Sequence, residues 1–495
     1  MERVIDVDLA TVYDADSGKR VKILAWGDRV ELTDETDEFF VVELTVRERQ
    51  PDGSMVPVAK QGRIKRSTKH DVLVTPGKSK VLKTDFVDVQ QGDGAVIETP
   101  KGKVILVDGG EKQLFARYIA GRYRGTSDGD PKEIDCIVVS HGDADHFAGL
   151  IEIGDSERHD KPHKRLFIHP KRVFHNGIVK RTADRDVDQL GGTDDIDGRL
   201  AVIELADDLR DVPDDEMSPM FKRWKDTLKH WAKRGDIEVA RLERGSDAQF
   251  RFLHDEEITV EVLGPITVSD GQHEGLPFLG EPKRRYGHPS TKPPTFGSPS
   301  ASHTINGHSV VLRVSYGNWH MLFAGDLNEE AERKLADEHE AGTLDLRSEV
   351  LKVPHHGSAD FLFDFLAGVE PVVSVVSSGD EAPNKEYIHP RATLMAGLGR
   401  FGRSHEPVIF VTELVAFFTS EGWVNNAPPD DDSEEWSDRR SPFFAFSREA
   451  WGTVRLRTDG TRLLVYTDSG DVLKKEAYVY TLDGAEAIPQ EPIRV

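Results

Sequence analysis

Two histidines and two aspartates crowd one short segment of the chain. Residues 140–146 read Ser-His-Gly-Asp-Ala-Asp-His, which brings His141, Asp143, Asp145 and His146 within six residues. The apolar run EIDCIVVSH leads into them, and a strand end is where an α/β sheet presents ligands. Their spacing does not suit one helix face, so a tight loop is expected to turn them toward two neighbouring metal ions. Imidazole with carboxylate suits zinc, manganese or iron, and the additional carboxylate favours a harder ion such as manganese. LFAGDL puts Asp326 after a second hydrophobic strand, where its carboxylate can bridge two metals. LKVPHHGS puts the pair His355 and His356 after a third.

The elements around these residues read as an α/β body. GAVIETP, KVILVDGG and EIDCIVVSH are buried-type strands, with a helix predicted over 112–124 between the last two. Alternating strands and helices imply layered sheets. Residues 151–300 read as an insertion. It contains an amphipathic helix, MFKRWKDTLKHWAKRG, whose Trp224, Leu228 and Trp231 form a packing face. A Gly/Pro/Ser-rich loop closes that stretch. The strands HSVVLRVSY and WHMLFAGD, the helix NEEAERKLADEHE and the strand PVVSVVSSGD follow. An acidic, proline-containing loop beyond residue 425 leads to TVRLRT and RLLVYT, expected to complete the body over 426–495. Residues 1–70 read as five short strands separated by Gly/Asp turns, which predicts a small β-barrel. Residues 71–80 read as a linker.

With VDGG, SHGDADH, FAGDL and KVPHHGS in this order, the chain resembles the metallo-β-lactamase fold, an αββα sandwich, over residues 83–425. The H-x-D-x-D-H variant, with DVQQGDGAVIETPKGKVILVDGG before it and HHGS after it, is similar to the soluble domain of ComEC/Rec2-type competence proteins. The N-terminal segment resembles a bacterial SH3-like module. The first resemblance implies that His141 and Asp143 hold one metal, that Asp145, His146 and His356 hold a second, and that Asp326 bridges. It implies two ions, Zn2+ or Mn2+. Asp108, in VDGG, would support the ligands from behind. Asp145 and His355 would act in catalysis, His355 by contacting a substrate oxyanion or donating a proton. A further metal-binding histidine of the family has two candidates here, His303 and His308, in SHTINGHSVVL; of these, Asn306-Gly307-His308-Ser309 matches the N-x-x-S of the ComEC-like subgroup. His169 and His175 read as surface histidines, with an approach to the site as the alternative. Ser378, Asn384 and His389 match a ComEC-like segment after HHGS, expected to line the pocket.

Two metals about 3.5–4 Å apart lower the pKa of water to about 7 and clamp the attacking and leaving oxygens. The expected function is therefore metal-dependent hydrolysis. The ComEC-like resemblance points to a phosphodiester, in a nucleic acid or nucleotide. The alternatives are hydrolysis of a small ester, lactone or thioester, and a non-enzymatic scaffold that docks a protein partner through its N-terminal module. The 495 residues carry 64 basic and 88 acidic side chains, a net charge of −24. That balance makes a poor general binder of polyanions. No apolar run approaches the ~20 residues that span a bilayer, and no partner membrane is expected. The single cysteine, Cys136, excludes an internal disulfide and a cysteine-ligated zinc ribbon. A cytoplasmic location is expected.

Overall fold

The strand Val104–Val107 shows how the body is built. Successive side chains of a strand point to opposite faces. Ile105 and Val107 enter an apolar core shared by two sheets, while Val104 and Leu106 face a helical layer on the other side. The strand Trp319–Phe323 repeats the pattern in the second sheet: Met321 and Phe323 join the shared core, and Leu322 faces outward into a different helical layer.

These contacts come from a computed structural model of the chain. It describes residues 1–49, 55–282, 296–379, 389–404, 407–412, 452–467, 475–483, 486–490 and 492–494, with side chains omitted at 47–49, 55–57 and 494. The acidic segment after residue 425, Asn384 and the centre of the Gly/Pro/Ser-rich loop lie outside the described residues.

The first sheet runs in the order Glu238–Arg241, Arg172–His175, Cys136–Val138, Val104–Val107, Ala95–Glu98, Leu82–Phe86, Val454–Thr458, Arg462–Thr467, Glu476–Asp483 and Glu486–Pro489. Its first four strands are parallel, and the ladders beyond Val104–Val107 are antiparallel. The second sheet runs Ile258–Gly264, Val311–Tyr316, Trp319–Phe323, Val350–Lys352, Val373–Val376 and Val408–Val411. Helices α1 (Leu114–Arg122), α2 (Ala144–Ser156) and α3 (Pro219–Trp231) cover the outer face of the first sheet. The short helix α4 (Ala301–Gly307) belongs to a smaller cluster with Leu276 and Phe278. Helices α5 (Glu329–Glu340), α6 (Phe363–Val369) and α7 (Ala392–Phe401) cover the second sheet. The layers are therefore helix, sheet, sheet, helix. Trp224 and Trp231 of α3 are fully buried against α2, their rings edge-on at 5.7 Å. Truncating either to alanine should cost about 3–5 kcal/mol. No helix among the described residues is long and apolar enough to cross a membrane.

Two sequence expectations change. Residues 151–300 are not a separable insertion: they supply Arg172–His175 and Glu238–Arg241 to the first sheet and Ile258–Gly264 to the second. The first two strands are only four residues long, too short to carry a visible periodicity. The N-terminal region is a seven-stranded antiparallel sheet that extends to Leu73–Val74, inside the expected linker. Its strand order runs from Arg20–Ala25 to Leu73–Val74, and no ladder among the described residues joins these two edges into a barrel. Trp26 of this sheet packs with Val81, Leu464 and Tyr466, and the Arg462 guanidinium lies 3.8 Å from the centre of the Trp26 ring.

Candidate metal centre

The site lies where strands of both sheets end. His141 follows Cys136–Val138. Asp143 is the residue before α2, with extended backbone, and Asp145 and His146 occupy the first turn of that helix. The cluster is thus a loop running into a helix, not the continuous loop expected from its spacing. Asp326 follows Trp319–Phe323, and His356 follows Val350–Lys352.

Gly92 lets the loop 90–94 lie directly on α2. Its φ is 98°, and a Cβ there would sit 1.7 Å from the Asp145 carbonyl oxygen. The Asp93 amide donates to that same oxygen at 3.3 Å. Gly325 is held as tightly, since a Cβ would sit 2.6 Å from Ser309 Oγ.

Three imidazoles converge on Asp326. His146 Nε2 lies 3.3 Å from Asp326 Oδ1, His356 Nε2 lies 3.1 Å from Oδ2, and His141 Nε2 lies 4.0 Å from Oδ2. His356 Nε2 is also 3.4 Å from Asp145 Oδ2. All three Nε2 atoms and Asp326 Oδ1 are buried without a hydrogen-bond partner. Unpaired buried polar atoms are costly, and three of them aimed at one carboxylate fit a bound cation. The sets His141, His146, Asp326 and Asp145, His146, His356 each bring their ligand atoms within 4.8 Å of one another, as metal binding requires. The donors are nitrogen and oxygen, which suits a first-row divalent ion.

The opposite ring nitrogens are fixed from behind. His146 Nδ1 donates to Asp108 Oδ2 at 2.9 Å, and Asp108 also accepts from the Ser140 amide and hydroxyl, each at 2.7 Å. His356 Nδ1 donates to the Ser377 carbonyl at 3.2 Å. These bonds set the tautomer that leaves Nε2 free to ligate. Ser309 Oγ lies 3.4 Å from His141 Nδ1 and accepts from the Asp326 amide at 3.0 Å. Gln91 donates to Asp145 Oδ2 at 3.0 Å.

The electrostatics of the site show the same demand. Burial pulls the His146 pKa down, but Asp326 and Asp108 outweigh it and hold the ring well above its ordinary value. For His356, Asp326 and Asp93 likewise outweigh burial. His141, farther from the carboxylates and beside His146, is pushed down to about 3 by burial. Burial raises the Asp326 carboxyl, yet His356 and His146 draw it well below the usual range. The acidic cluster thus favours positive charge at these ring nitrogens, which a bound metal ion would supply.

Some expected residues stand elsewhere. Asp143 is in none of the ligand groups among the described residues; its Oδ1 pairs with Lys180 Nζ at 3.4 Å. It stands just before α2, whose first turn carries Asp145 and His146 into the ligand groups. His303 Nε2 lies 3.8 Å from Asp360. His308 is buried and donates to the Pro277 carbonyl at 2.7 Å. Neither joins a ligand group. His169 and His175 do not either; His175 is buried and accepts from the Gly177 amide. His355 has a left-handed backbone, φ 49°, and stands beside the ligands. Its Nε2 is 3.5 Å from Asn306 Nδ2, and its ring centre is 6.2 Å from that of His389. Ser378 is buried and bonded through its backbone to Thr412.

Sequence reading gave no role to Asp93, Gln91, Ser140 or Lys352, and met Ser309 only in the N-x-x-S match. The signal available for Asp93 was the Gly-Asp-Gly of QQGDG, read only as a turn. No curated protein matches the chain. Residues 87–239 match the family model described as the metallo-beta-lactamase superfamily, a segment that holds Asp93, Asp108 and the 141–146 cluster.

Proposed function

We propose that the protein is a metal-dependent hydrolase of phosphodiesters, with a nucleic acid or nucleotide as substrate. The observation that carries the hydrolase reading is the convergence of three unpartnered imidazole Nε2 atoms on the Asp326 carboxylate. Zinc or manganese, as two ions, would be held by His141, Asp145, His146, Asp326 and His356. Bound there, the metal supplies Lewis acidity and an acidified water. The protein's own residues do the rest. Asp108 and Ser377 fix the ligating tautomers. His355, with its Nδ1 unpartnered, and Asn306 stand at the edge of the centre as hydrogen-bond donors for a substrate oxyanion.

The phosphodiester class rests on the ComEC-like arrangement of QGDG, SHGDADH and HHGS. The net charge of −24 favours instead a small ester, lactone or thioester, so the assay must include one. Metal-loaded protein is given bis-p-nitrophenyl phosphate, single-stranded DNA and an acyl thioester. Turnover of the phosphodiesters, lost on Asp326→Ala, is the expected result. Turnover of the thioester alone would transfer the proposal to ester chemistry. No turnover of any substrate by metal-loaded protein would favour the docking scaffold.

A further inference from the structure

A second cavity, of about 410 Å3, opens between α5 and the segments around Gly264–Ile266 and Pro277–Leu279. That volume lies within the range of small-molecule sites. Its apolar wall includes Ile266, Leu279, Phe296, Val311, Leu327 and Leu335. None of the proposed metal ligands lines it, although its wall includes Ser309, next to the metal centre.

The charges in this cavity do not balance locally. Arg199 is satisfied by Glu330 at 2.9 Å, and Arg333 is paired with Glu329 at 3.2 Å. Lys334 is half-buried and makes no ion pair or hydrogen bond among the described residues. Asp337, one turn further along α5, lines the cavity but is not paired with it. The charged groups that act on the Lys334 ammonium are Arg199 and Arg244, both cations, and together with burial they push its pKa down. Arg199 and Arg244 have their own carboxylates in Glu330 and Glu338, so the half-buried Lys334 ammonium is the one that a bound anion would stabilise. Of the cations that line the cavity, Arg199 and Arg333 have carboxylate partners and Lys334 has none among the described residues, while much of the remaining wall is apolar.

We propose that this cavity binds a small organic anion, a carboxylate or phosphate monoester, with its acid group on Lys334 and its apolar body against Leu279, Phe296 and Leu335. The site is distinct from the metal centre, and the proposal does not depend on what that centre hydrolyses.

Isothermal titration of the full-length, metal-loaded protein tests it. The probes are hexanoate and phenyl phosphate, which separate the two acid groups, with hexanamide and phenol as uncharged counterparts. At least one anion should bind at millimolar concentration or below, at least tenfold tighter than its uncharged counterpart. Lys334→Gln should weaken that binding at least tenfold, and Leu279→Trp, which fills the chamber, should abolish it. Lys334→Gln should leave turnover at the metal centre unchanged. Absence of binding by both anions would overturn the proposal. So would equal binding of the uncharged probes, or anion binding that Lys334→Gln does not alter, since such binding belongs to the metal centre.

Discussion

Asp93 Oδ1 lies 3.2 Å from His356 Nδ1, on the side of the imidazole away from the metal centre. The same carboxylate is ion-paired with the buried ammonium of Lys352, two residues before the turn that carries His355 and His356. Asp93 comes from the first sheet's side of the site and Lys352 from the second. One buried ion pair therefore joins the two halves that supply ligands.

Asp93→Asn should show this in two ways. It leaves Lys352 as an uncompensated buried charge, which costs about 3–5 kcal/mol. It also loosens His356, and loss of such a supporting contact typically lowers metal affinity about 10–100-fold. Chemical denaturation and competition with a chelator measure the two effects. If the denaturation midpoint falls while metal affinity is unchanged, Asp93 acts on the fold alone.

The adjacent histidines should separate cleanly. His356→Ala removes a ligand and should lower both metal content and turnover by orders of magnitude. His355→Ala should leave metal content near that of the wild type and still slow turnover, because His355 faces Asn306 beside the centre. Elemental analysis alongside turnover checks both. The reverse pattern would mean that the two roles are exchanged.

Metal removal should act on stability as well as rate. The protein should contain at least one zinc or manganese ion per chain, and EDTA should abolish hydrolysis. Without a cation, Asp326, Asp145 and Asp93 face only the surrounding histidines and Lys352. The chelated protein is therefore expected to melt at lower temperature, by RT ln(1 + [L]/Kd) of lost binding energy. Unchanged melting after complete removal of the metal would show that no cation binds the native state.

Acid should destabilise the body from outside the metal centre. Burial pushes His175 and His308 each down to about 4. A histidine whose native pKa is depressed is neutral when folded and takes up its proton more readily when unfolded. Its contribution is complete above the unfolded value near 6.5 and is lost as pH falls from there toward 4. Unfolding free energy measured on the metal-free protein should therefore fall through that window. His308→Gln should flatten part of the fall, if glutamine keeps the bond to the Pro277 carbonyl.

The N-terminal sheet should be needed for stability more than for the chemistry. Trp26→Ala should lower the melting temperature while turnover of a small chromogenic ester, below that temperature, stays near the wild-type level. Long single-stranded DNA run in parallel tests whether the basic residues of this sheet, such as Lys60, Arg63, Lys65, Arg66 and Lys69, hold a polymer. A selective loss on DNA in a variant neutralising them is the expected outcome if they do; Arg66 already pairs with Glu35.

His141, His146, Asp326 and His356 stood out in the sequence because histidine and aspartate directly after hydrophobic strands have few structural reasons to be there. Of their supporting residues, Asp108 stood out in VDGG and Ser309 only within the N-x-x-S match. Asp93 and Gln91 are ordinary polar residues, and only the meeting of distant strand ends gives them a place at the site. Asp143 looks equivalent to Asp145 in sequence, yet only Asp145 falls in a ligand group among the described residues, because α2 begins between them. The layered body was legible from wholly apolar runs such as VILV and CIV, whereas the equally short RVFH and EVAR within 151–300 mix charged and apolar residues and do not separate from loop.

The strand Val454–Thr458 lies between Leu82–Phe86 and Arg462–Thr467, with Arg457 donating to Asp85 at 2.8 Å in the buried layer. The Trp26 side chain packs on the same late strands. On the ribosome, Trp26 and Leu82–Phe86 must therefore wait for partners made hundreds of residues later. At about 5–20 residues per second the interval is on the order of tens of seconds. Through that time one edge of Leu82–Phe86 and the part of the Trp26 face that Leu464 and Tyr466 cover lack their native partners. Nascent chains stalled before residue 454 should accordingly recruit chaperones, and release of the full-length chain should end that recruitment.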